Sequence, residues 1–527
     1  MSDRPRAVAG RGDAAPPAEI VIGVDVGTTA TKVTAFGVGS RWRHTVVREY
    51  PLLHPQDGWE IQQPEVILAA ALGAIAESVS RGGASRVIAV SLSAAMHGLI
   101  GLDTDLRPLT PLLTWADSRA TDIARRLRAE GLAAELHHRS GTPVHPMSPL
   151  TKLIWFAEHE PELSGRVRAW VGLKDWIVQA LTGTQATELS SASGTGLLDL
   201  NTRSWSPETL AMVGVSAEQL PIILPTTAAL GLTRAVAPRV GLPTATPVVL
   251  GAGDGPSGNL GTGALRPGVA GLSIGTSGAV RTVVPEPYVD PGGRLFCYAL
   301  TDDAWTIGGA ISNGGATQRW AGEVFGRPDS GADSSTDEQT LALAATVPAG
   351  SDGLLALPFL MAERAPLWDP TVAGAFLGVR SRHTRGHFVR AAVEGVALQL
   401  SVIVDELDAV HPIDSVRATG GVFRSDLWRT VLAGVLDRPI VVADGAEGSA
   451  RGAAALGLIG IGRAASFDSA LALLPGPDTG TDRLTNPDPA LADTYRRVRA
   501  DFPRLLSDLG RVAELFRPAA PVPARSG

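Results

Sequence analysis

Two short glycine–threonine turns, one in each half of the 527-residue chain, carry residues that could bind an anion. The first, DVGTT at 25–29, follows an apolar run and leads into a second one at 32–36; the second turn, SIGTSG at 273–278, leads into 279–284. A glycine at such a turn can adopt a positive φ, and the neighbouring N–H groups can converge on a phosphate. One such turn alone is usually a simple hairpin. Two turns in matching contexts predict a duplicated domain that holds a phosphate chain between its halves.

The turns must be positioned by strands and by the helices that cover them. Short β-branched runs at 20–26, 86–93 and 246–253 alternate with helical patterns at 64–80 and 385–410. The last pattern predicts a helix with one buried face, because apolar residues recur there every three or four positions; they are Phe388, Ala391, Ala392, Val396, Leu400 and Val404. This alternation of strands and helices is typical of an α/β fold.

Composition excludes several classes of protein. With 44% hydrophobic residues the chain is not disordered, and a net charge of −7 without a long basic run argues against a nucleic-acid partner. The sequence lacks an apolar run of about 18 residues, so we expect no membrane association. The chain has one cysteine, Cys297, which excludes an internal disulfide, and such a low cysteine count is typical of proteins in a reducing compartment. We therefore expect a cytoplasmic protein with a disordered leader at 1–19, which has no signal-peptide pattern.

Other site types find little support in the sequence. The ten histidines and the one cysteine show no metal-ligand spacing. Neither a G-x-S-x-G elbow nor a GxxxxGK[ST] phosphate loop occurs, which argues against a serine hydrolase and a P-loop kinase.

An ordered set of motifs extends over most of the chain and resembles the FGGY family of carbohydrate kinases. The motifs lie at 22–36, 93–103, 114–119, 174–183, 248–261, 272–280, 363–370, 418–440 and 447–457. The resemblance implies an α/β fold of two duplicated actin/Hsp70-like (ribonuclease H-like) domains with an ATP/sugar cleft between them. We expect the N-terminal domain at 20–262, the C-terminal domain at 263–462 and an extension at 463–527. A homodimer is a further family-level expectation.

The resemblance also implies the residues that bind ATP and Mg²⁺. Asp25 would hold Mg²⁺, a hard cation that prefers oxygen ligands, or it could merely cap its own turn. The phosphates would be bound from both turns, and the adenine would lie against a glycine pair and a nearby helix. The expected nucleotide-binding residues are Thr28, Thr29, Lys32, Gly275, Thr276, Ser277, Gly315, Gly420, Gly421 and Ser425.

By the same resemblance, Asp254 is the general base that removes the proton from the attacking sugar hydroxyl. It lies in GAGDGP at 251–256, and the glycines allow a substrate to approach the backbone. An aspartate two residues before Pro256 is also suited to cap a helix. The two roles are compatible.

The resemblance places the sugar against Met96, His97, Gly98, Trp115, Asp117 and Asp254. His97 could instead be a core histidine, and Trp115 a core tryptophan beside a solvated turn. Family membership leaves the sugar open, but three features favour D-gluconate and formation of 6-phospho-D-gluconate. They are Gly255, where xylulose and glycerol kinases typically have Asn or Gln, and the stretches 140–155 and 361–370.

A buried gluconate carboxylate would need charge-assisted donors. The candidates in the sequence are His97, Arg119, His145, Lys152 and Arg364. The main alternative is a kinase for xylulose or another ketose or polyol. An ATP-binding protein of the actin or Hsp70 type, without kinase activity, would not need the sugar motifs or Asp254.

Overall fold

The computed structural model describes residues 16–325, 334–361, 363–443, 447–476 and 483–512. The N-terminal half contains strands β1 (Ile20–Val26), β2 (Ala30–Gly37), β3 (Arg43–Glu49), β4 (Ile61–Gln62), β5 (Val87–Ala94), β6 (Ile100–Leu102), β7 (Leu112–Leu113), β8 (Ala169–Val171), β9 (Ala186–Glu188), β10 (Leu198–Asp199), β11 (Ser204–Trp205), β12 (Ile222–Leu224), β13 (Ala229–Gly231) and β14 (Pro247–Gly253). Its helices are α1 (Pro64–Gly82), α2 (Thr121–Ala129), α3 (Leu132–Ser140), α4 (Pro149–His159), α5 (Pro161–Ser164), α6 (Leu173–Thr182), α7 (Leu189–Ser193), α8 (Pro207–Val213), α9 (Ala237–Val240) and α10 (Asp254–Thr262).

The C-terminal half contains strands β15 (Val269–Ile274), β16 (Gly278–Val284), β17 (Phe296–Thr301), β18 (Ala304–Ile311), β19 (Leu355–Leu357), β20 (Ala375–Leu377), β21 (Ser415–Thr419), β22 (Ile440–Val442) and β23 (Arg483–Thr485). Its helices are α11 (Gly315–Phe325), α12 (Ser334–Ala345), α13 (Arg385–Val410), α14 (Asp426–Leu436), α15 (Gly448–Gly460), α16 (Phe467–Leu473) and α17 (Pro489–Val512).

The two large sheets repeat one arrangement of five strands. In the first sheet the order is β14-β5-β1-β2-β3, and in the second it is β22-β21-β15-β16-β18. The parallel pairs and the antiparallel pairs occur at the same places in both sheets. The predicted glycine–threonine turns join equivalent strands, β1 to β2 and β15 to β16. The duplicated α/β architecture predicted from the sequence is therefore confirmed.

Helix α15 belongs to the C-terminal half by sequence but packs against the N-terminal sheet. It contacts α10 and strands β1 and β5, and Ala450, Ala454 and Leu456 share a buried cluster with Val21 and Ala89. The small side chains of α15 allow this close packing. The chain thus returns to its first sheet after building the second.

Helix α13 forms the centre of the C-terminal core. Almost every residue between Val389 and Val404 is buried, because α11, α12, α14 and α17 as well as the sheet cover the helix. The sequence predicted one buried face for this helix, but its central residues are buried on all sides. By length and composition α13 could cross a bilayer. However, 94% of its most apolar 18-residue stretch is buried inside the protein, as in the core helix of a globular domain.

The chain ends differ in part from the expectation. Residues 1–15 of the expected leader lie outside the described residues, while Glu19 accepts a hydrogen bond from the N–H of Val38 at 3.0 Å. Within the C-terminal extension, α17 packs on α13 and α14. Its Tyr495 donates to Glu394 Oε1 at 2.7 Å. Helix α17 is thus an integral layer of the C-terminal core, whereas Ala470 of α16 belongs to the buried cluster that joins α15 to the first sheet.

Candidate active site

Two adjoining cavities lie between the two halves of the protein. The first, about 310 Å³, is here called the tryptophan cavity because Trp115 and Trp368 line it. The second, about 390 Å³, is called the lysine cavity after Lys32. Both halves of the chain contribute to each cavity, and four residues line both: Asp254, Gly255, Ser273 and Arg281.

Asp254 stands at this common wall because β14 ends at Gly253 and α10 begins at the next residue. Its Oδ1 accepts a hydrogen bond from the N–H of Gly255 at 2.8 Å. Burial raises the pKa of Asp254 above the usual range, while Arg281 lowers it. Gly253, and not Asp254, is the residue that caps α10, so the carboxylate remains available to a substrate hydroxyl.

A buried network fixes the backbone just before Asp254. The N–H of Gly253 donates to Ser190 Oγ at 3.1 Å, and Ser190 belongs to α7, whose N-terminus is capped by Glu188. Glu188 forms an ion pair with Lys174 in which both side chains are nearly fully buried. Lys174, on α6, thus stabilises the element that positions the predicted base.

Asp25 and Lys32 face the lysine cavity from the first turn. They are register partners across β1 and β2. Oδ1 of Asp25 is buried and has no hydrogen-bond partner among the described residues. Burial, with a further contribution from Asp254, raises the pKa of Asp25 to about 7, and Lys32 opposes the rise. One unpartnered carboxylate oxygen beside space for phosphates fits Mg²⁺, which is commonly bound by one or two carboxylates together with phosphate oxygens and water.

The other predicted residues of the first turn lie elsewhere. Thr28 lines the tryptophan cavity, where its Oγ1 accepts a hydrogen bond from Trp115 Nε1 at 2.9 Å. Thr29 is exposed and lines neither cavity. We expected both threonines to bind the same phosphates as Lys32. In this arrangement of the turn, neither threonine lines the lysine cavity.

The second turn is held by the segment that follows β18. The N–H of Gly315 donates to Gly275 O at 2.8 Å and that of Gly314 to Thr276 O at 3.0 Å. Gly275 and Ser277 line the tryptophan cavity, whereas Gly315 does not. Gly315, predicted to bind the nucleotide, thus contacts the second turn instead of lining either cavity.

Gly420 lines the lysine cavity next to the second sheet. Its φ is +120°, and a Cβ at this position would lie 2.0 Å from Ile274 O, so only glycine fits there. Gly421 begins a short 3₁₀ turn, and Ser425 precedes α14; neither of them, nor Thr276, lines a described cavity.

His97 lies in the wall of the tryptophan cavity with an unusual backbone φ of 66°. Its Nδ1 lies 2.7 Å from Gly194 O, and because a carbonyl only accepts, Nδ1 carries the proton. Burial lowers the pKa of His97 to about 3. The ring is therefore neutral, and its Nε2 can accept a hydrogen bond from a sugar hydroxyl.

Two of the six predicted sugar contacts, Asp117 and Gly98, do not line this cavity. Asp117 forms a two-bond ion pair with Arg119, 2.8 Å at each bond, and accepts from the N–H of Glu60 at 3.0 Å. Its carboxylate is thus used within the fold. Gly98 also lies away from the tryptophan cavity. Of the predicted sugar residues, Met96, His97, Trp115 and Asp254 line it.

Most of the candidate carboxylate donors are also structural. Lys152 donates to the carbonyls of His97 and Thr114 at 2.8 and 2.7 Å, so it supports the loop of His97. His145 Nε2 bonds to Glu363 O at 3.2 Å, and Arg119 is held by Asp117. Neutral His97 has no charge to offer. Of the five candidates, only Arg364 is a cation that lines the tryptophan cavity.

Two arginines, Arg281 and Arg364, supply the positive charge of the tryptophan cavity, which Asp254 also lines. Arg364 lies over the ring of Trp115, 4.5 Å from its centroid, and burial lowers its pKa to about 10. Arg281, which the sequence analysis missed, reaches the common wall from β16. The available signal was a lone arginine inside the otherwise uncharged strand GAVRTVV. Tyr298 was also missed, because its position in the sequence carries no mark of a site. Trp368 lies within the motif at 363–370, but it was not singled out as a site residue.

Comparison with known proteins agrees with the fold. Residues 20–261 and 270–461 match the N-terminal and C-terminal domains of the FGGY family of carbohydrate kinases. A gluconokinase of Bacillus subtilis (strain 168) is 36% identical over 462 residues, covering 85% of this chain and 89% of the relative. A xylulose kinase of the same organism is 31% identical over 448 residues, covering 84% and 88%.

Solved structures are similar over almost the whole chain. One, described as gluconate kinase from Lactobacillus acidophilus, has a TM-score of 0.88 at 31% identity and covers 95% of this chain and 100% of its own. Another, described as ligand-bound xylulose kinase from the same organism, has the same values. With the duplicated sheets and the cleft cavities, these matches show that the chain belongs to the FGGY family of carbohydrate kinases.

Proposed function

We propose that this kinase transfers the γ-phosphoryl group of ATP to the 6-hydroxyl of D-gluconate, yielding 6-phospho-D-gluconate in the cytoplasm. The observation that carries the proposal is the charge of the tryptophan cavity, whose cationic side chains among the described residues are Arg281 and Arg364. A sugar acid brings a carboxylate that a buried guanidinium can bind through charge-assisted hydrogen bonds. A neutral ketose would bring no negative charge for these guanidinium groups to bind.

The acceptor would lie with its reacting hydroxyl at Asp254 and its other hydroxyls near His97 and Trp115. Arg364, which lines only the tryptophan cavity, would receive the carboxylate. As the hydroxyl attacks the γ-phosphorus, its proton passes to the Asp254 carboxylate. Asp254 must therefore be deprotonated before transfer.

The phosphates of ATP would occupy the lysine cavity. Lys32 would neutralise part of their charge, and Asp25 would hold Mg²⁺ with its unpartnered oxygen. When bound, Mg²⁺ supplies charge neutralisation on the phosphate oxygens. Gly420, which lines this cavity, would bring the backbone of the second half next to the nucleotide.

A coupled assay for ADP release tests the substrate. D-gluconate, D-xylulose and glycerol would be compared at matched concentrations, with the mass of each product measured. We expect the highest kcat/KM with gluconate. Faster turnover of D-xylulose would contradict the proposal and favour the second candidate, a xylulose kinase.

Two comparisons favour the second candidate. A relative named xylulose kinase is 31% identical to this chain over 448 residues, and a solved structure described as xylulose kinase has a TM-score of 0.88. Substituting Arg364→Gln separates the two functions. A gluconate kinase would lose affinity for its substrate, whereas a kinase that uses Arg364 only in its fold would lose thermal stability and retain its KM.

A further inference from the structure

Arg281 occupies the place where the two cavities meet. It lines both, together with Asp254, Gly255 and Ser273. Within the described part of the chain its one hydrogen bond is long, 3.4 Å from Nη1 to Ser273 Oγ. Most of its five N–H donors are therefore free to bind a ligand in the cavities.

Arg364 is held differently. Its Nε donates to Ser312 Oγ at 3.2 Å and its Nη2 to Ile311 O at 2.8 Å, and its guanidinium lies over Trp115. It lines only the tryptophan cavity. The two arginines are thus not equivalent: one is fixed in the wall of a single cavity, and the other stands between two.

Gly255 makes room for Arg281 beside the base. A Cβ at position 255 would lie 3.2 Å from Arg281 Nε and 3.3 Å from Nη2, closer than side-chain contacts usually allow. A side chain at position 255 would require the guanidinium to shift by a few tenths of an ångström. The missing side chain at Gly255 and the cation of Arg281 therefore form one feature of the site.

We propose that Arg281 is a catalytic residue that contacts the phosphoryl group during transfer. This inference rests on the proposed kinase reaction, but not on the identity of the acceptor. The acceptor oxygen forms a bond to the γ-phosphorus, and its proton goes to Asp254. The bond from that phosphorus to the β–γ bridging oxygen breaks, and its electron pair leaves with ADP. Arg281 stays protonated and donates to the oxygens of the phosphoryl group.

The position of Arg281 supports this role over binding of the carboxylate. The substrate carboxylate is at the opposite end of gluconate from the 6-hydroxyl, which must lie at Asp254. Of the charged groups acting on Arg281, Asp254 has the largest effect, whereas Asp254 is the weakest of those recorded for Arg364. Arg281 thus serves the reacting end of the substrate, and Arg364 serves the distant end.

The test compares Arg281→Gln and Arg281→Lys with Arg234→Gln, an exposed arginine outside both cavities. We expect Arg281→Gln to lower kcat by about 10²–10³, the usual loss when one donor to a developing charge is removed, with little change in the KM of the acceptor. Any ATP hydrolysis that the unsubstituted protein shows without an acceptor should fall as well. Arg281→Lys should retain an intermediate kcat, because a point charge replaces a fork.

Two further measurements keep the outcome clear. Added guanidinium ion should partly restore the kcat of Arg281→Ala, which a merely misfolded protein would not show. Gly255→Ala should lower kcat in the same direction, because it displaces the guanidinium. A rise in the gluconate KM with unchanged kcat and unchanged ATP hydrolysis would overturn the proposal and assign Arg281 to the carboxylate.

Failure of the proposed gluconate kinase function would be seen separately. In that case the unsubstituted protein would not phosphorylate gluconate. The loss of kcat in Arg281→Gln would still be measured with whichever acceptor turns over and with ATP hydrolysis alone.

Discussion

The substitution Asp254→Asn removes the proposed base while changing the side-chain shape very little. The hydrogen bond from the N–H of Gly255 to Oδ1, 2.8 Å long, can be accepted equally by the amide oxygen of Asn. The residue is the first of α10 and does not cap the helix. The substitution therefore tests the basicity of the side chain rather than the packing around it.

The expected loss follows from this geometry. A positioned general base contributes about 10²–10⁴ in rate, which corresponds to roughly 2.7–5.4 kcal/mol of activation free energy. Because Asn cannot take the proton, we expect kcat to fall by a factor in that range. The KM for ATP should change little, since the expected phosphate contacts Lys32 and Asp25 remain.

Loss of the charge has one side effect that the assay must separate from loss of the base. Asp254 is the carboxylate that most strongly raises the pKa of Arg281, so its removal leaves a buried cation with less compensation. A small decrease in the temperature of unfolding is therefore expected, and activity should be measured well below that temperature. Asp105→Asn, in an exposed turn, is the matched control.

Steady-state ADP release at saturating ATP gives kcat, and a pre-steady-state quench confirms that the transfer step is the one affected. Turnover by Asp254→Asn close to that of the unsubstituted protein would refute the assignment of the base. A kcat that falls only in proportion to the fraction of unfolded protein would do the same.

Three further outcomes are expected. In a pH–rate profile, the acidic limb of kcat/KM should lie above the usual pKa range of aspartate, because burial raises the pKa of Asp254. Arg281 lowers the pKa of Asp254, so the substitution Arg281→Gln should move this limb to higher pH. Lys174→Met should destabilise the fold by about 3–5 kcal/mol, because Glu188 would stay buried without its partner, and calorimetry should show a smaller loss for the double variant with Glu188→Gln. Asp25→Asn should raise the Mg²⁺ concentration needed for half-maximal activity in a titration, and an unchanged requirement would argue against a metal ligand there.

The duplicated architecture could be predicted from the sequence because its signals are local. A strand, a Gly-Thr turn and another strand occupy neighbouring positions, and both copies form antiparallel strand pairs. The return of α15 to the first sheet could not be predicted in the same way. Its small residues permit packing on either sheet, and the contacts with α10, β1 and β5 that fix its place form only in the folded protein.

The site was predicted less completely, for reasons that particular residues make clear. Asp117 and Arg119 are two positions apart, and the sequence does not distinguish a carboxylate that binds a ligand from one that pairs with its neighbour. Lys152 looked available for a carboxylate, but its ammonium donates to two backbone carbonyls. Arg281 was missed because its role depends on a strand and a helix that meet only in the folded protein.

A direct ion pair between Arg281 and Asp254 would occupy the carboxylate and leave it unable to accept a proton from the substrate. No ion pair within 4.0 Å joins Asp254 and Arg281 across the described residues of the chain. Instead, Ser273 holds one end of the guanidinium, and Gly255 donates to the carboxylate. The positive charge is close enough to favour the deprotonated form of Asp254, yet the carboxylate can still accept a proton. Without an ion pair between them, the two groups can serve different parts of the proposed reaction: the carboxylate the acceptor hydroxyl, and the guanidinium the phosphoryl group.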